Sequence, residues 1–429
     1  MRDEFFLDDK FIYYAYIQIP FCKSRCSYCH WSIKYNDDIL SIDRLRKPFV
    51  EALKKEIHLR SRFAQEREKV TLQVIHFGGG TPSLLTVAEL QDILNSLLHA
   101  YGQRIEDMKK VAIEARPDSL SYEKVRYLKA MGFNRISIGL QTFNQRVLDR
   151  VQRHVDVEQC FRSFDWIRSV GFEDVSIDML YGLPHQTFED VKRDMEIVLR
   201  LKPDHIDAYP WNPENTAFAK NAEMFAETEK NKKIAWASYI KKTLKENGYA
   251  NYCHVCYAQP GKENIMQLIS ANYLLPYLGF GPGAEYIFDT HQAKNIIDIG
   301  EYIDHRMGAN HFQYPDVPRL AQLNEMFNII IRHLLLDEGI DLNYFNRRYH
   351  LDLEKFLLSY KDPEHLQKEA AREEYNDRAL FLEFANMVKN LRKIQEWLET
   401  GILEKNGKYL RVKDEFKISG ETWDDMYKG

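Results

Sequence analysis

YIQIPFCKSRCSYCHW (Tyr16–Trp31) sets three thiols, Cys22, Cys26 and Cys29, in a C-x3-C-x2-C pattern directly after a β-prone run, Tyr13–Ile19. Thiolates are soft ligands and suit zinc or an iron–sulfur cluster. Structural zinc takes four protein ligands, and His30, next to Cys29, is badly placed to complete such a set. Three thiolates fit a four-iron cube with one iron left open. Two plainer readings stand beside it: a zinc site completed by a distant residue, or three unrelated buried thiols.

Outward from this segment, β-prone runs alternate with stretches of helical spacing. The runs after Tyr13–Ile19 are Gln73–Phe77, Val111–Glu114, Arg135–Leu140, Val175–Leu180 and His205–Tyr209. Between them lie Arg44–Phe63, Val87–Ala100, Tyr122–Met131, Val157–Val170 and Phe188–Leu201. Such alternation implies βα units around a parallel sheet. The expected fold is α/β, a partial (β/α)6 TIM-like barrel over residues 1–225. Pro20, Gly78–Gly80, Pro117 and Gly182–Pro184 follow strands, where loops of such sheets carry chemistry.

Residues 226–305 read as a helical and Gly-rich segment completing the catalytic domain, with LGFGPGAEY at Leu278–Tyr286. Its G-x-G does not sit between a first strand and its helix, which excludes a dinucleotide fingerprint. The pattern changes near Ile303–Pro318, and residues 306–429 read as a mostly helical C-terminal domain. It closes on GILEKNGKYLRV (Gly401–Val412), two β-prone runs around Asn406–Gly407, a winged-helix-like hairpin.

The 429 residues are 45% hydrophobic and 29% charged with net charge −5, an ordinary globular balance without the basic excess of a nucleic-acid binder. There is no apolar run of membrane-spanning length, and the acidic start MRDEFFLDDKFIYY is no secretory signal. The expected compartment is the cytoplasm. Of six cysteines, three crowd near the N-terminus, which favours metal or redox chemistry over a disulfide framework. Cys253 and Cys256 form C-x-x-C; two thiols cannot hold a second cluster alone, leaving ordinary buried thiols or redox or acid–base assistance. Aromatic residues, 13% of the chain, suit a packed core or a pocket for a flat conjugated substrate.

Six ordered motifs run from Tyr16 to Tyr286: YxxIPFCxxxCxYC, FGGGTPSLL (Phe77–Leu85), EARPDSL (Glu114–Leu120), RISIGLQTFNQRVLDRVQR (Arg135–Arg153), SIDMLYGLPHQT (Ser176–Thr187) and GFGPGA (Gly279–Ala284). In these the chain resembles the radical S-adenosylmethionine (SAM) family of oxygen-independent coproporphyrinogen III oxidases, heme chaperones and related enzymes, which include radical SAM C-methyltransferases. The resemblance implies a [4Fe–4S] cluster on Cys22, Cys26 and Cys29, whose open iron chelates SAM and whose electron cleaves it to a 5′-deoxyadenosyl radical. It implies that Gly79, Gly80 and Thr81 hold the methionyl end of SAM, where glycine permits close backbone approach. Glu114 matches an acidic SAM contact, Gln141 and Asp178 ribose contacts, and Arg153 the partner of the SAM carboxylate. Tyr16 and Tyr28 would wall the pocket. A small conjugated or tetrapyrrole-like substrate and a one-electron donor such as flavodoxin or ferredoxin are the implied partners.

Three departures bear on the reaction. Gln18 stands where the family usually has His, and Gln cannot become cationic. The long N-terminal arm of the oxidases does not precede the cysteines. MQLISANYLLPYLGFG (Met266–Gly281) lacks the His and Trp of the chaperones' heme motif. These departures favour methyl or methylene transfer from a second SAM to an sp2 carbon, with room for that SAM expected under the Leu278–Tyr286 loop. Oxidation of a tetrapyrrole and heme handling are the alternatives.

Overall fold

The computed structural model describes residues 12–29, 34–35, 39–67, 70–212, 227–253, 255–264, 277–288 and 291–309, and short pieces between 339 and 412. In chain order its first half runs β1 (Ile12–Ile19), β2 (Phe21–Cys22), β3 (Lys34–Tyr35), α1 (Ile39–Arg67), β4 (Thr71–Gly79), α2 (Val87–Ala100), β5 (Lys110–Ala115), α3 (Tyr122–Ala130), β6 (Arg135–Gln141), α4 (Gln145–Arg150), α5 (Val157–Ser169), β7 (Val175–Tyr181), α6 (Phe188–Leu201) and β8 (His205–Pro210). Each of the six long strands and five main helices expected from the sequence is present. Two helices start at capping boxes. Thr86 Oγ1 accepts from Glu89 N while Glu89 Oε2 accepts from Thr86 N, and Thr187 and Asp190 repeat the exchange on α6.

Strands β1, β4, β5, β6, β7 and β8 pair in parallel in that order. Parallel strands covered on both faces usually read as continuous apolar runs. Here they alternate. Ile17, Ile75, Phe77, Ile113, Ile136, Ile138, Ile177 and Ile206 are fully buried in the main core beneath the helices. Each such side chain contributes about 1.5–3 kcal/mol of burial. The intervening residues, among them Gln18, His76, Glu114, Ser137, Asp178 and Asp207, fall on the opposite, inner face. The outer face holds the fold together, and the inner face is left for polar chemistry.

The segment after β8 departs from its expected helical character. It contains α7 (Glu227–Glu246), then β9 (Ala250–Cys253), β10 (Cys256–Ala258), β11 (Tyr277–Phe280), β12 (Glu285–Phe288), β13 (His291–Lys294) and α8 (Ile299–Gly308). The five short strands extend both edges, giving one eleven-stranded sheet, β13-β12-β11-β1-β4-β5-β6-β7-β8-β10-β9. At three or four residues each they are too short to show a period, and pairing with an existing edge defines them. The sheet is open among the described residues, as a partial barrel requires. The division expected at residues 305 and 306 falls inside α8.

The Gly-rich loop after β11 is clamped down. Glu56 of α1, wholly buried, pairs with Arg60 at 2.8 Å and Arg306 at 3.3 Å, and accepts from Tyr302 Oη at 2.6 Å and Gly281 N at 2.9 Å. The Arg60 guanidinium lies 3.9 Å from the Tyr286 ring centroid. Gly281, at φ +98°, sits so close to β1 that a Cβ there would come 2.4 Å from Gln18 O. The loop therefore packs directly on β1 at Gly281.

Beyond 309, β14 (Ile340–Asp341), β15 (Leu403–Asn406) and β16 (Tyr409–Val412) form a three-stranded antiparallel sheet. The expected hairpin is there, closed by the pair Asn406↔Tyr409 and an Arg411–Glu404 ion pair at 2.6 Å. Most residues of the expected C-terminal helices lie outside the described ones.

Burial raises the Glu56 carboxyl, but Arg60, Arg306, the Tyr302 hydroxyl and the Gly281 N–H outweigh it and hold the group below the ordinary range. Its contribution to stability is full above the unfolded carboxylate pKa and is lost as pH falls through the depressed value. Glu56→Ala strands two buried guanidiniums and is expected to cost about 3–5 kcal/mol in urea unfolding, with Glu56→Gln intermediate; a loss under about 1 kcal/mol would show that the clamp contributes little.

Candidate active site

The expected site residues converge on the C-terminal ends of β1 and β4 to β7. Cys22 ends β2 and is buried, hydrogen-bonded to Thr81 Oγ1 at 3.2 Å. Cys26 is buried, with Arg116 Nη1 at 3.8 Å and Arg153 Nη1 at 3.7 Å from its sulfur. Cys29 is half-buried, and its N–H donates to Cys26 O at 3.1 Å. The cysteine loop is tied to the end of α4 where Ser27 N–H donates to Val151 O at 3.0 Å. All three thiols are free. Among the described residues they are not a set of donors all within 4.8 Å of one another, so they do not cradle a single ion. Three free thiols spread around two guanidiniums suit a cube of net negative charge. As a thiol, Cys22 is pushed up to about 11 by burial, against Thr81 and Arg116; iron ligation overrides this by deprotonating the sulfur outright.

Gly79 has φ +105°, and a Cβ there would meet the Gln18 side chain at 2.8 Å. Its N–H donates to Glu114 Oε2 at 3.2 Å, and Gly80 N–H donates to Ile19 O at 2.8 Å. The other Glu114 oxygen meets His76 Nε2 at 2.9 Å, and the His76 ring stacks on Tyr16 at 5.7 Å. One carboxylate thus fixes the glycine loop, a histidine and a tyrosine wall. Asp178 accepts from Ser137 Oγ at 2.8 Å and is pushed up to about 6 by burial and then by the Glu114 charge.

Gln141 closes β6 with φ 71°, left-handed for a residue with a side chain. The next two residues are held by Asp194, which accepts from Thr142 Oγ1 and Phe143 N, both at 2.7 Å. That grip keeps the Gln141 amide over Gly139, where Arg153 Nη2 donates to the Gly139 carbonyl. Arg153 Nη1 also donates to Tyr28 Oη at 2.9 Å. Its Nε is buried without a hydrogen-bond partner. The orphaned donor, the glycine cradle and the three free thiols fit a cluster with SAM.

Arg116 and His76 receive no role from the sequence. Arg116 is buried beside Cys26, and Asp118 accepts from its Nε and Nη2 at 3.0 and 3.2 Å. Its position after Glu114 in EARPD is the only local signal. The contact with Cys26 spans 90 positions and exists only in three dimensions.

The Radical SAM superfamily profile matches residues 16–198. That stretch of the chain is a Radical SAM domain. A heme chaperone HemW of Lactococcus lactis is 28% identical over 348 residues, 80% of this chain and 86% of the relative. An oxygen-independent coproporphyrinogen III oxidase of Synechocystis is 31% identical over 201 residues, 46% of this chain and 41% of that relative. The fold matches coproporphyrinogen III oxidase (HemN) from Escherichia coli with a TM-score of 0.74 at 20% identity, over 96% of this chain and 89% of that one. Neither kind of relative is named for carbon transfer. No helix of the described residues is long and apolar enough to cross a membrane.

Cys26→Ala is expected to abolish iron binding and Cys160→Ala, buried in α5, to leave about four irons per chain. Equal iron loss in both would dismiss the cysteine assignment. Asp178→Asn removes a charged acceptor worth about 1.5–3 kcal/mol, so SAM should bind about 10- to 150-fold more weakly in calorimetry. In the unmutated protein SAM binding should weaken as pH falls through about 6, where Asp178 takes up its proton, and the asparagine variant should lose that dependence.

Proposed function

We propose that this protein reductively cleaves SAM at a [4Fe–4S] cluster on Cys22, Cys26 and Cys29 and turns the resulting radical on a conjugated, tetrapyrrole-related substrate. The carrying observation is the convergence of the free thiols, the Gly79 cradle and the spare N–H of Arg153 on one end of the sheet. When bound, cluster and SAM supply a 5′-deoxyadenosyl radical able to take hydrogen from carbon. The chain's residues do the rest. Glu114 and Asp178 offer acceptors for amino and ribose hydroxyl groups, Gln141 an amide beside the ribose position, and Arg153 a cation for a carboxylate. Tyr16 and Tyr28 exclude water from the two sides. The substrate class rests on the names of the relatives and on the polar inner face, which continues past Asp178 to Asp207 and can receive pyrrole-type N–H donors.

Carbon transfer from a second SAM remains a second reading, and Gln18 favours it. Gln18 is buried against the SAM loop with an amide that carries no charge at any pH, so an acid or cationic substrate contact is missing there. One anaerobic incubation separates the readings. With SAM deuterated in its methyl group, a reductant and coproporphyrinogen III, oxidation is expected to give 5′-deoxyadenosine without deuterium and a decarboxylated product. Deuterium in 5′-deoxyadenosine together with S-adenosylhomocysteine would replace that reading with carbon transfer. Stoichiometric heme binding with no SAM cleavage would replace both with a heme-handling role.

A further inference from the structure

Beyond Asp178 the inner face carries a donor cluster that the SAM side does not use. His205 and Asp207 alternate on β8, and Cys256 of β10 stands opposite Asp207 in the antiparallel register. All three are buried, and one donor atom of each lies within 4.8 Å of the others. Asp207 Oδ1 is buried with no hydrogen-bond partner, while Oδ2 lies 3.6 Å from His205 Nδ1. Arg135 adds some favourable charge to Asp207, but its Nη1 is engaged with Asp174 at 2.5 Å and no hydrogen bond from it reaches Asp207 Oδ1. A buried carboxyl oxygen without a partner is costly, and burial holds Asp207 toward its neutral form; a cation bound here would displace that proton and supply the missing partner.

The imidazole is already arranged as a ligand's would be. His205 Nε2 is tied to Tyr252 Oη at 2.6 Å, which fixes the ring with Nδ1 3.6 Å from Asp207 Oδ2; Nδ1 is hydrogen-bonded to Ser176 Oγ at 2.8 Å, a contact that a bound cation would displace. Metal-bound histidines commonly have their second nitrogen held in this way. Thiolate, imidazole and carboxylate together are a zinc-type donor set. Cys256 opens β10, and the register pairs it with Cys253 of β9. That C-x-x-C spacing is shared with zinc knuckles. Cys256 is disulfide-bonded here, whereas Cys22, Cys26, Cys29 and Cys160 are free.

We propose that His205, Asp207 and Cys256 form a second metal site that binds a zinc-class divalent cation once Cys256 is reduced. The reducing step breaks one S–S bond. A dithiol donates two electrons and two protons and itself becomes a disulfide; the protein thiols then lose their protons to solvent as the cation binds. The oxidised form withholds the thiolate, so occupancy follows the redox state. The site adjoins the substrate face, because Asp207 pairs in register with Asp178.

The test uses the full chain, purified anaerobically with dithiothreitol, supplied with iron, sulfide and zinc, and desalted. About one zinc per chain is expected alongside about four irons, with both sulfur and nitrogen or oxygen neighbours in zinc X-ray absorption. Cys256→Ser and His205→Gln should weaken zinc retention at least about tenfold and keep the iron. Cys22→Ala should do the reverse. Oxidising the unmutated protein with diamide should release the zinc. The site is overturned if the reduced chain retains no zinc, if zinc has no sulfur neighbour, or if zinc disappears with Cys22→Ala and survives Cys256→Ser. The absorption spectrum of the unmutated protein decides even if a variant fails to fold, and the iron count reports separately on the cluster.

Discussion

Three carboxylates, Glu114, Asp178 and Asp207, share the inner face of one sheet, and keeping them there shapes the site. Each raises the cost of ionising its neighbour: Asp178 goes up to about 6 by burial and the Glu114 charge, and Asp207 is raised strongly by burial and then by Asp178. The hydrogen bonds that offset this cost thin out along the sheet. Glu114 is engaged through both oxygens, Asp178 accepts from Ser137, and Asp207 Oδ1 has no partner. The first is therefore a fixed part of the wall, and the last is the group with most to gain from a ligand. The apolar outer face carries the stability that lets the inner face hold such groups.

Across from the carboxylates the charge reverses. Arg116 and Arg153 both approach Cys26, so one wall of the site is cationic and the other anionic. SAM has the matching pattern, with a carboxylate at one end of its methionyl group and ammonium and sulfonium charges nearby. A low-dielectric pocket strengthens both attractions relative to water. The guanidiniums would also balance the charge of an anionic cluster held at Cys26.

The parts of this arrangement visible in sequence are those written in local periods. Val87–Ala100 and Phe188–Leu201 match the observed helices at both ends, because each begins at a capping box and keeps one apolar stripe. The cysteine loop and the motif residues at strand ends were equally readable. The polar inner face went unread, although Ser176 and Asp178 alternate around Ile177, and His205 and Asp207 around Ile206. What the sequence could not give was defined by pairing or by distance along the chain. Strands β9 to β13 exist because edges were available to them, α4 is only six residues long, and Arg116 meets Cys26 through the closing of the sheet. The clamp on Glu56 likewise reaches Gly281 and Tyr302, 225 and 246 positions away.

Gln18 is where structure and chemistry bear on each other most closely. It pairs in register with Gly78, its amide fills the space over Gly79, and its carbonyl lies under Gly281. It therefore buttresses both glycine loops at once, a task that size and shape satisfy and charge does not. A histidine in this place could do the same work and also take up a proton; glutamine keeps only the packing. Glutamine keeps the packing on both glycine loops and leaves one ionisable group fewer on the inner face. Any reaction on this scaffold that needs an acid must draw it from elsewhere on the inner face, and the raised carboxyls of Asp178 and Asp207 are the groups held nearest to a protonated state.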